Sequence, residues 1–281
     1  MSGAALALEG VAVGHAGRAV LSGVGFSLAP GSFAGLIGPN GSGKTTLLRS
    51  ILGLVPLLGG RVAIGGRGQV GYVPQSIALD RFMPIRARDV IALGLDGHRP
   101  GIPLPSRRRR AQVDEMIDAV GAAGFADRRV GDLSGGQQQR VMIAHALIRR
   151  PDVLLLDEPL ASLDLRSVAE VVALLAGLAR EAKVAVLMSA HDMNPLLPAM
   201  DRIVYVAEGR AVAGTVAEVV RGAVLSALYG AHIDVLRVHG RVLVVAAGGA
   251  PHGHAHDHAH DHAHDHSHDH DEDAMHVVRI P

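Results

Sequence analysis

The residues of this chain whose types and spacing could do chemistry begin with a glycine-rich loop, residues 38–45, which fits the pattern G-x-x-x-x-G-K-[ST]. In such a loop backbone N–H groups turn inward around a phosphate chain, and the following helix adds the positive end of its dipole. Lys44 would reach the β- and γ-phosphates, and the Thr45 hydroxyl would join the shell of a Mg²⁺ ion. The predicted nucleotide contacts of this loop are Gly38, Pro39, Asn40, Gly41, Ser42, Gly43, Lys44, Thr45 and Thr46.

A second candidate group is a pair of carboxylates, Asp157 and Glu158, directly after the apolar run 153–156. The end of a buried strand is where a P-loop enzyme places an acid that holds Mg²⁺, and Asp157 fits that position. Glu158 could polarise an attacking water as a general base. Because an apolar strand followed by Asp-Glu is a weak indication on its own, this interpretation needs support from other motifs.

A third candidate group is a run of histidines interleaved with Asp and Ala near the C-terminus. Imidazoles with nearby carboxylates are ligands for Zn²⁺, Ni²⁺, Co²⁺ or Cu²⁺. We therefore expect residues 251–281 to form a disordered tail that binds a divalent transition metal, with affinity falling at about pH 6 as the imidazoles protonate. A purification tag and an incidental low-complexity tail remain alternatives. The predicted ligands are His252, His254, His256, His258, His260, His262, His264, His266, His268 and His270.

Composition limits the kinds of protein that this chain can be. It has 281 residues, of which 48% are apolar but only 2% aromatic, so a core must be built from Val, Leu, Ile and Ala. No cysteine is present, which excludes disulfides and thiolate metal sites. No run reaches the ~18 apolar residues of a membrane span, and the first residues lack the basic start of a signal peptide. We therefore expect a cytoplasmic chain.

The net charge of zero hides an uneven distribution. Residues 251–275 contain Asp and Glu but no Lys or Arg, so the rest of the chain has an excess of positive charge. Arginines occupy positions 107–110 at the start of a predicted helix over 106–123, where a solvated helix face is favoured over a patch for anionic lipid or nucleic acid. Because no aromatic stacking residues accompany them, no nucleic-acid partner is expected.

The elements that must position these residues alternate along the chain. Residues 6–30 predict two strands around a turn at 14–17, and the glycine-rich loop lies between a predicted strand and a predicted helix. Further predicted strands are 61–64, 70–73, 153–156 and 184–188, and further predicted helices are 136–149 and 166–180. This alternation predicts an α/β domain with a mainly parallel sheet, and residues 248–251 mark a boundary before the tail.

Six short motifs, in this order and spacing, resemble those of the ATP-binding cassette (ABC) ATPases over about residues 5–235. They are GPNGSGKTT (38–46), VPQ (73–75), LSGGQQQR (133–140), VLLLDEP (153–159), ASLD (161–164) and SAHD (189–192). The resemblance implies an α/β P-loop NTPase fold with a mainly parallel core sheet and an N-terminal antiparallel β subdomain. It also implies an α-helical subdomain inserted at about 76–150 and an extension over 236–250.

The resemblance further implies a role for each matching residue. Thr45 and Asp157 would hold Mg²⁺, and Gln75 would contact Mg²⁺ or the attacking water and would signal to a membrane partner. Glu158 would be the catalytic base, and His191 would stabilise charge on the γ-phosphate. The residues that would cap a nucleotide held by an opposite subunit are Ser134, Gly135, Gly136 and Gln137.

One P-loop and one LSGGQ motif in the chain imply a homodimer. If each ATP is held between the P-loop of one subunit and the LSGGQ motif of another, a single chain cannot complete a site. A head-to-tail homodimer that closes on ATP is therefore expected, and Asp164 would contribute to communication across it.

One position departs from the family pattern. The residue that usually stacks on adenine is aromatic, and the alignment places His15 there. Imidazole can stack, but it offers less area than a phenol ring. Base recognition is therefore left open, and we expect His15→Tyr to tighten nucleotide binding.

A second resemblance concerns the transported substrate. Four segments are similar to those in the ATPases of zinc and manganese importers, namely VPQ (73–75), FMPI (82–85), DVIALG (89–94) and LYG (228–230). They imply the ATPase subunit of a divalent-metal transporter, with zinc import foremost. Such a subunit would energise integral-membrane permease subunits from the cytoplasmic face, and an extracytoplasmic metal-binding protein would supply the metal. Import of a chelated metal or another solute, metal export, and a metal-storage or metal-sensing protein with a regulatory cassette stay open as alternatives.

Overall fold

The computed structural model of the chain describes residues 3–75, 83–96 and 106–246. In chain order the strands are β1 (Leu6–His15), β2 (Arg18–Leu28), β3 (Phe33–Ile37), β4 (Gly59–Ile64), β5 (Val70–Val73), β6 (Val153–Leu156), β7 (Ala185–Ala190), β8 (Arg202–Ala207), β9 (Arg210–Gly214), β10 (Ile233–Val238) and β11 (Arg241–Ala246). The helices are α1 (Lys44–Ile51), α2 (Ala87–Asp96), α3 (Arg107–Ala119), α4 (Gly135–Leu147), α5 (Leu165–Ala182), α6 (Val216–Val219) and α7 (Gly222–Tyr229). The histidine-rich tail lies outside the described residues.

A six-stranded sheet in the order β5-β6-β7-β3-β8-β9 forms the centre of the fold. Neighbouring strands are parallel except for the antiparallel pair β8 and β9 at one edge. Strands β3, β6 and β7 are buried along their whole length. Their continuous apolar sequences fit this position, because a parallel sheet covered on both faces leaves no side for polar residues. The predicted mainly parallel α/β sheet is confirmed.

The central sheet separates two hydrophobic cores. Alternate residues of a strand point to opposite faces, so β6 contributes to both cores. Val153 and Leu155 pack with α1 and with the N-terminal strands on one side. Leu154 and Leu156 pack with α4 and α5 on the other. Both faces of the central strands are therefore covered, and their ends are free to carry functional loops.

The N-terminal strands form a separate antiparallel sheet in the order β2-β1-β4, as the family resemblance implies. The predicted turn between β1 and β2 is a two-residue connection, with His15 paired to Arg18. Its central residues, Ala16 and Gly17, have φ values of 49° and 78°. A two-residue hairpin turn with positive φ at both positions matches the twist of the flanking strands. The turn places His15 at the end of β1.

Between β5 and β6, the described residues fold into the helices α2, α3 and α4. The predicted helix over 106–123 begins as expected, because the Ser106 side chain accepts a hydrogen bond from the Arg109 N–H at 3.0 Å. It ends earlier than predicted, at Ala119, and Gly121 follows with a φ of 63°. A glycine in the left-handed region is a common end of a helix, and the sequence prediction overlooked it. The other predicted helices agree with α4 and α5 to within one or two residues at each end.

The C-terminal part of the described chain consists of α6, α7 and the hairpin of β10 and β11. The first compact unit continues through this hairpin to Ala247. The sequence places the end of the ATPase domain at residue 235, which lies within strand β10. The domain limits stay a prediction. Within the residues that the structure describes, no helix is both long enough and apolar enough to span a membrane.

Candidate nucleotide site

Four loops that carry predicted site residues follow the carboxyl ends of four adjacent parallel strands. In the order β5-β6-β7-β3, these strands lead to Gln75, to Asp157 and Glu158, to His191, and to the glycine-rich loop at 38–43. In open α/β sheets, ligands bind at this end of the strands. The strand order thus brings residues from distant parts of the sequence to one edge.

The glycine-rich loop has the backbone that a phosphate cradle requires. Gly43 has a φ of 96°, and a Cβ on Gly38 would stand 2.2 Å from the Val206 carbonyl oxygen. Helix α1 begins at Lys44 without a side-chain cap and without an acidic residue in its first turn. Its first N–H groups are therefore available to an anion. The buried Ser42 hydroxyl has no hydrogen-bond partner among the described residues, which fits a site that a phosphate oxygen would complete.

Lys44 is the buried cation of the site, with 4% of its surface exposed. Its Nζ donates to the carbonyl oxygens of Gly38 at 2.8 Å and Pro39 at 3.0 Å. The same Nζ lies 3.4 Å from Glu158 Oε1. A lysine held in this way places its Nζ at the mouth of the loop, where it can contact phosphate oxygens.

Asp157 is buried and accepts hydrogen bonds on both carboxylate oxygens. Thr45 Oγ1 and Ser189 Oγ donate to its Oδ1 at 3.0 Å and 2.9 Å, and the Tyr72 hydroxyl reaches its Oδ2 at 3.5 Å. Burial and, to a smaller extent, the charge of Asp157 raise the pKa of Tyr72. Carboxylate and hydroxyl oxygens are the ligands that Mg²⁺ prefers, so Thr45 and Asp157 fit such an ion.

Sequence reasoning missed Tyr72 and Ser189. Ser189 is the one polar residue in the apolar strand β7, and it is fully buried. A lone hydroxyl in a buried strand needs a hydrogen-bond partner, which was the available indication. Tyr72 had no comparable indication, because its contact with Asp157 depends on the pairing of β5 with β6.

Glu158 occupies a strained turn directly after β6. Its φ is 45°, which is uncommon for a residue with a side chain, and such strain concentrates at functional sites. Its backbone N–H donates to Ser189 Oγ at 2.9 Å, and its Oε2 accepts from Gln75 Nε2 at 3.2 Å. With Lys44 on its other oxygen, Glu158 stands between the P-loop and Gln75. This carboxylate could accept a proton from a water molecule next to a bound phosphate.

An open cleft of about 430 Å³ runs along the glycine-rich loop. It is lined by His15, Val20, Asn40, Gly41, Gly43, Lys44, Thr45, Thr46, Gln75 and Glu158. His15 Nε2 lies 3.3 Å from Thr46 Oγ1, so the imidazole is held beside the first turn of α1. The position that the sequence assigns to base stacking is thus next to the P-loop.

The LSGGQ residues do not line this cleft. Ser134 caps the start of α4 through a reciprocal capping box. The Ser134 Oγ accepts a hydrogen bond from the Gln137 N–H, and the Gln137 Oε1 accepts one from the Ser134 N–H. A Cβ on Gly136 would stand 2.9 Å from Ser167 Oγ, so the start of α4 packs closely on α5. Gly135 lines a smaller cleft of about 220 Å³ together with Gln75 and Glu158.

Two other predicted residues have different surroundings. His191 is exposed just after β7, and no hydrogen bond joins it to any residue of the described ranges. Asp164 caps α5 by accepting from the Ser167 N–H and from the Ser167 hydroxyl, each at 2.9 Å. These hydrogen bonds lower the pKa of Asp164. No metal-binding cluster of His, Cys, Asp or Glu occurs within 3–75, 83–96 or 106–246, and the predicted tail ligands lie outside these ranges.

Together, the parallel sheet, the glycine-rich loop and the carboxylates at the strand ends define a P-loop nucleoside triphosphatase. Residues 21–161 match the ABC transporter family. The chain is 37% identical over 262 residues to the zinc import ATP-binding protein ZnuC of Paramagnetospirillum magneticum. This alignment covers 89% of this chain and 96% of the relative. It is 35% identical over 230 residues to the zinc transport system ATP-binding protein TroB of Treponema pallidum, covering 78% and 86%. The chain therefore belongs to the ABC transporter family.

Solved structures of ABC transporters have the same fold. A metal-chelate type ABC transporter in an inward-facing conformation aligns with a TM-score of 0.73 at 23% identity, covering 86% of this chain and 96% of that one. The cbiO1 protein of Clostridium perfringens, part of the transporter complex cbiONQ, aligns with a TM-score of 0.68 at 25% identity, covering 80% and 93%. The family implies that this chain binds ATP and Mg²⁺ and hydrolyses ATP in transport.

Proposed function

We propose that this chain is the ATP-hydrolysing subunit of an importer for divalent metal ions, with zinc as the transported metal. The observation that carries the proposal is the group of candidate hydrolytic residues at one sheet edge, where Lys44, Asp157 and Glu158 are in contact with their neighbours. The choice of zinc rests on the relatives, which are named as zinc import and zinc transport ATP-binding proteins.

The P-loop residues would bind the triphosphate of ATP. The N–H groups at the start of α1 would face the phosphates, and Lys44 would exchange its two carbonyl acceptors for β- and γ-phosphate oxygens. Thr45 and Asp157 would hold Mg²⁺, with Gln75 close by. When bound, the ion would neutralise charge on the phosphate oxygens.

Glu158 would act as the general base. Its carboxylate is within 3.4 Å of Lys44 Nζ and 3.2 Å of Gln75 Nε2. If Lys44 turns to the phosphates, one carboxylate oxygen is freed to accept a proton from the attacking water. Gln75 would then orient that water and report the state of the site to a membrane partner. His191, exposed at the end of the adjacent strand, would donate to the γ-phosphate.

A second copy of the chain would complete each site. The LSGGQ residues lie outside the P-loop cleft of their own chain, so they would act on the nucleotide of an opposite subunit. The start of α4 would then present its N–H groups to the γ-phosphate. Asp164 would contribute from the neighbouring start of α5, where it is held by Ser167.

The homodimer would energise integral-membrane permease subunits from the cytoplasmic face of the membrane, and an extracytoplasmic metal-binding protein would supply the metal. The histidines at even positions over 252–270 would bind Zn²⁺ or another divalent transition metal. This binding should disappear when the chain is cut after Gly249, and in the full chain it should fall at about pH 6.

The test is cellular metal content in metal-poor medium. Strains would lack the chain, or carry it intact, as Glu158→Gln, as the control Glu181→Gln, or cut after Gly249. Glu181 is an exposed residue on α5 without an assigned role. We expect zinc to fall without the chain and with Glu158→Gln, but not with Glu181→Gln. A rise in metal would indicate export, and unchanged zinc, manganese, nickel and cobalt in every strain would refute a metal substrate.

A further inference from the structure

The C-terminal hairpin of β10 and β11 has one face that packs on the protein and one face that the described residues leave partly exposed. On the inner face Ile233 and Val242 are buried in the core. Asn194 fixes this side through hydrogen bonds in both directions with the Val242 backbone, at 2.7 Å and 3.0 Å. Ser226 Oγ accepts from the Ile233 N–H at 2.8 Å. An isolated two-stranded hairpin is barely stable in water, so these contacts hold it in place.

The outer face is apolar in its middle and charged at two opposite corners. Its apolar side chains remain close to half exposed, at 49% for Leu236, 49% for Val238, 46% for Leu243 and 45% for Val245. Leu236 pairs directly with Leu243, so these four side chains form one continuous band. Single exposed apolar residues are ordinary, but a contiguous patch indicates an interaction site. We call this the hairpin face.

Two charged residues complete the hairpin face. Asp234 stands opposite Val245 at one end, and Arg241 stands opposite Val238 at the other. Four residues along a strand span about 13 Å, so these two charges do not neutralise each other within the chain. His232 lies next to Asp234, with His232 Nε2 at 3.4 Å from Asp234 Oδ1.

We propose that the hairpin face binds the hairpin face of a second copy of this chain, in a contact that needs no nucleotide. A two-fold axis across the strands would form two equivalent ion pairs, each between Asp234 of one copy and Arg241 of the other. The side chains of Leu236 and Leu243 of both copies would pack between these pairs. Such a self-complementary patch is what an isologous dimer contact requires. Two sheets that pack face to face are rotated by about 30°, which suits opposite charges at diagonal corners.

This contact differs from the ATP-dependent closure of the two nucleotide sites. It would keep two subunits together while those sites are open. Two strands of six residues each cover roughly 20 Å by 10 Å. This is well below the roughly 800 Å² per partner of a standard interface, so we expect micromolar affinity. The apolar band would provide most of this affinity, and the exposed ion pairs would set the register.

Sedimentation equilibrium of the nucleotide-free protein in chelator tests the proposal. We expect the unaltered chain to dimerise, and Leu236→Glu to weaken dimerisation at least tenfold. Leu54→Glu, which alters a still more exposed leucine (68%) remote in sequence, should leave dimerisation unchanged. The chain cut after Gly249 should also dimerise as before. Loss of dimers on that truncation would mean that the tail mediates association, and would overturn the proposal.

Charge reversal gives the sharper test. Asp234→Arg and Arg241→Asp should each weaken self-association, because each places like charges against each other. An equal mixture of the two variants should dimerise again, since both pairs in the mixed dimer are then opposite. Recovery in the mixture also shows that both variants are folded. Monomeric unaltered chain at all concentrations, or a mixture that stays monomeric, would refute the contact without affecting the proposed ATPase function.

Discussion

Ser189→Ala tests how the loop that carries Asp157 and Glu158 is held in place. Ser189 is fully buried, and its Oγ donates to Asp157 Oδ1 and accepts from the Glu158 N–H, both at 2.9 Å. A hydrogen bond to a charged group is worth about 1.5–3 kcal/mol, and a buried N–H left without a partner costs about 1–3 kcal/mol. Because the two effects overlap, we expect the free energy of unfolding to fall by about 2–4 kcal/mol.

Ser50→Ala is the matched control. Ser50 is a buried serine on α1 with 5% of its surface exposed. Its hydroxyl has no hydrogen-bond partner in the part of the chain that the structure describes. Replacement by alanine removes a buried polar atom without breaking a hydrogen bond, so we expect unchanged or slightly higher stability.

Urea unfolding followed by circular dichroism measures both variants, and steady-state ATP hydrolysis measures the effect on the site. Ser189 holds the backbone of Glu158, which has a φ of 45°, so its loss should displace the carboxylate. A displacement of about 1 Å can cost about 100-fold, and we expect kcat to fall by about 10- to 100-fold. Equal stability losses in the two variants, or full activity of Ser189→Ala, would refute this reasoning.

Three further predictions concern single side chains. Lys44→Ala removes the cation that would contact the phosphates. Because two charged hydrogen bonds would be lost, ATP affinity measured by titration should fall by at least about 100-fold. A loss of affinity below tenfold would contradict this role. His15→Tyr replaces the imidazole, which contacts Thr46, by a larger stacking ring, so this variant should bind ATP more tightly than the original chain. His15→Ala should bind ATP more weakly. Unchanged or weaker ATP binding by His15→Tyr would reject base stacking. The lowered pKa of Asp164 means that its cap stabilises the fold above the ordinary carboxyl pKa and is lost as the pH falls through the folded value. The difference in urea midpoint between the original chain and Asp164→Ala should therefore be largest at neutral pH and shrink below about pH 4; a difference independent of pH would argue against the charge.

Much of the fold was predictable from local patterns. Continuous apolar segments gave β3 and β6, because both faces of a parallel strand are buried. The hairpin of β1 and β2 was predictable from its turn, which ends in Gly17. The early end of α3 before Gly121 was missed, since a glycine in a helical pattern can either continue or terminate the helix.

The candidate site was predictable to the extent that its residues lie in short motifs. The spacing of the glycine-rich loop and the Asp157-Glu158 pair indicates phosphate and Mg²⁺ chemistry because those roles need neighbouring residues on one turn. The roles of His191 and Asp164 came from the family resemblance and remain predictions. Ser189 begins the SAHD motif but was given no role there, and Tyr72 was not found because it belongs to none of the motifs.

The sequence by itself determined the class of protein, since a P-loop requires its glycines and its lysine within one short segment. It also determined where the histidine-rich tail begins, because composition alone distinguishes that segment; metal binding by this tail remains a prediction. Only the tertiary structure decided which distant residues surround Asp157, because the strand order β5-β6-β7-β3 follows from packing rather than from any local pattern. The same holds for the hairpin face, where the pairing of Leu236 with Leu243 places apolar residues of two strands on one surface.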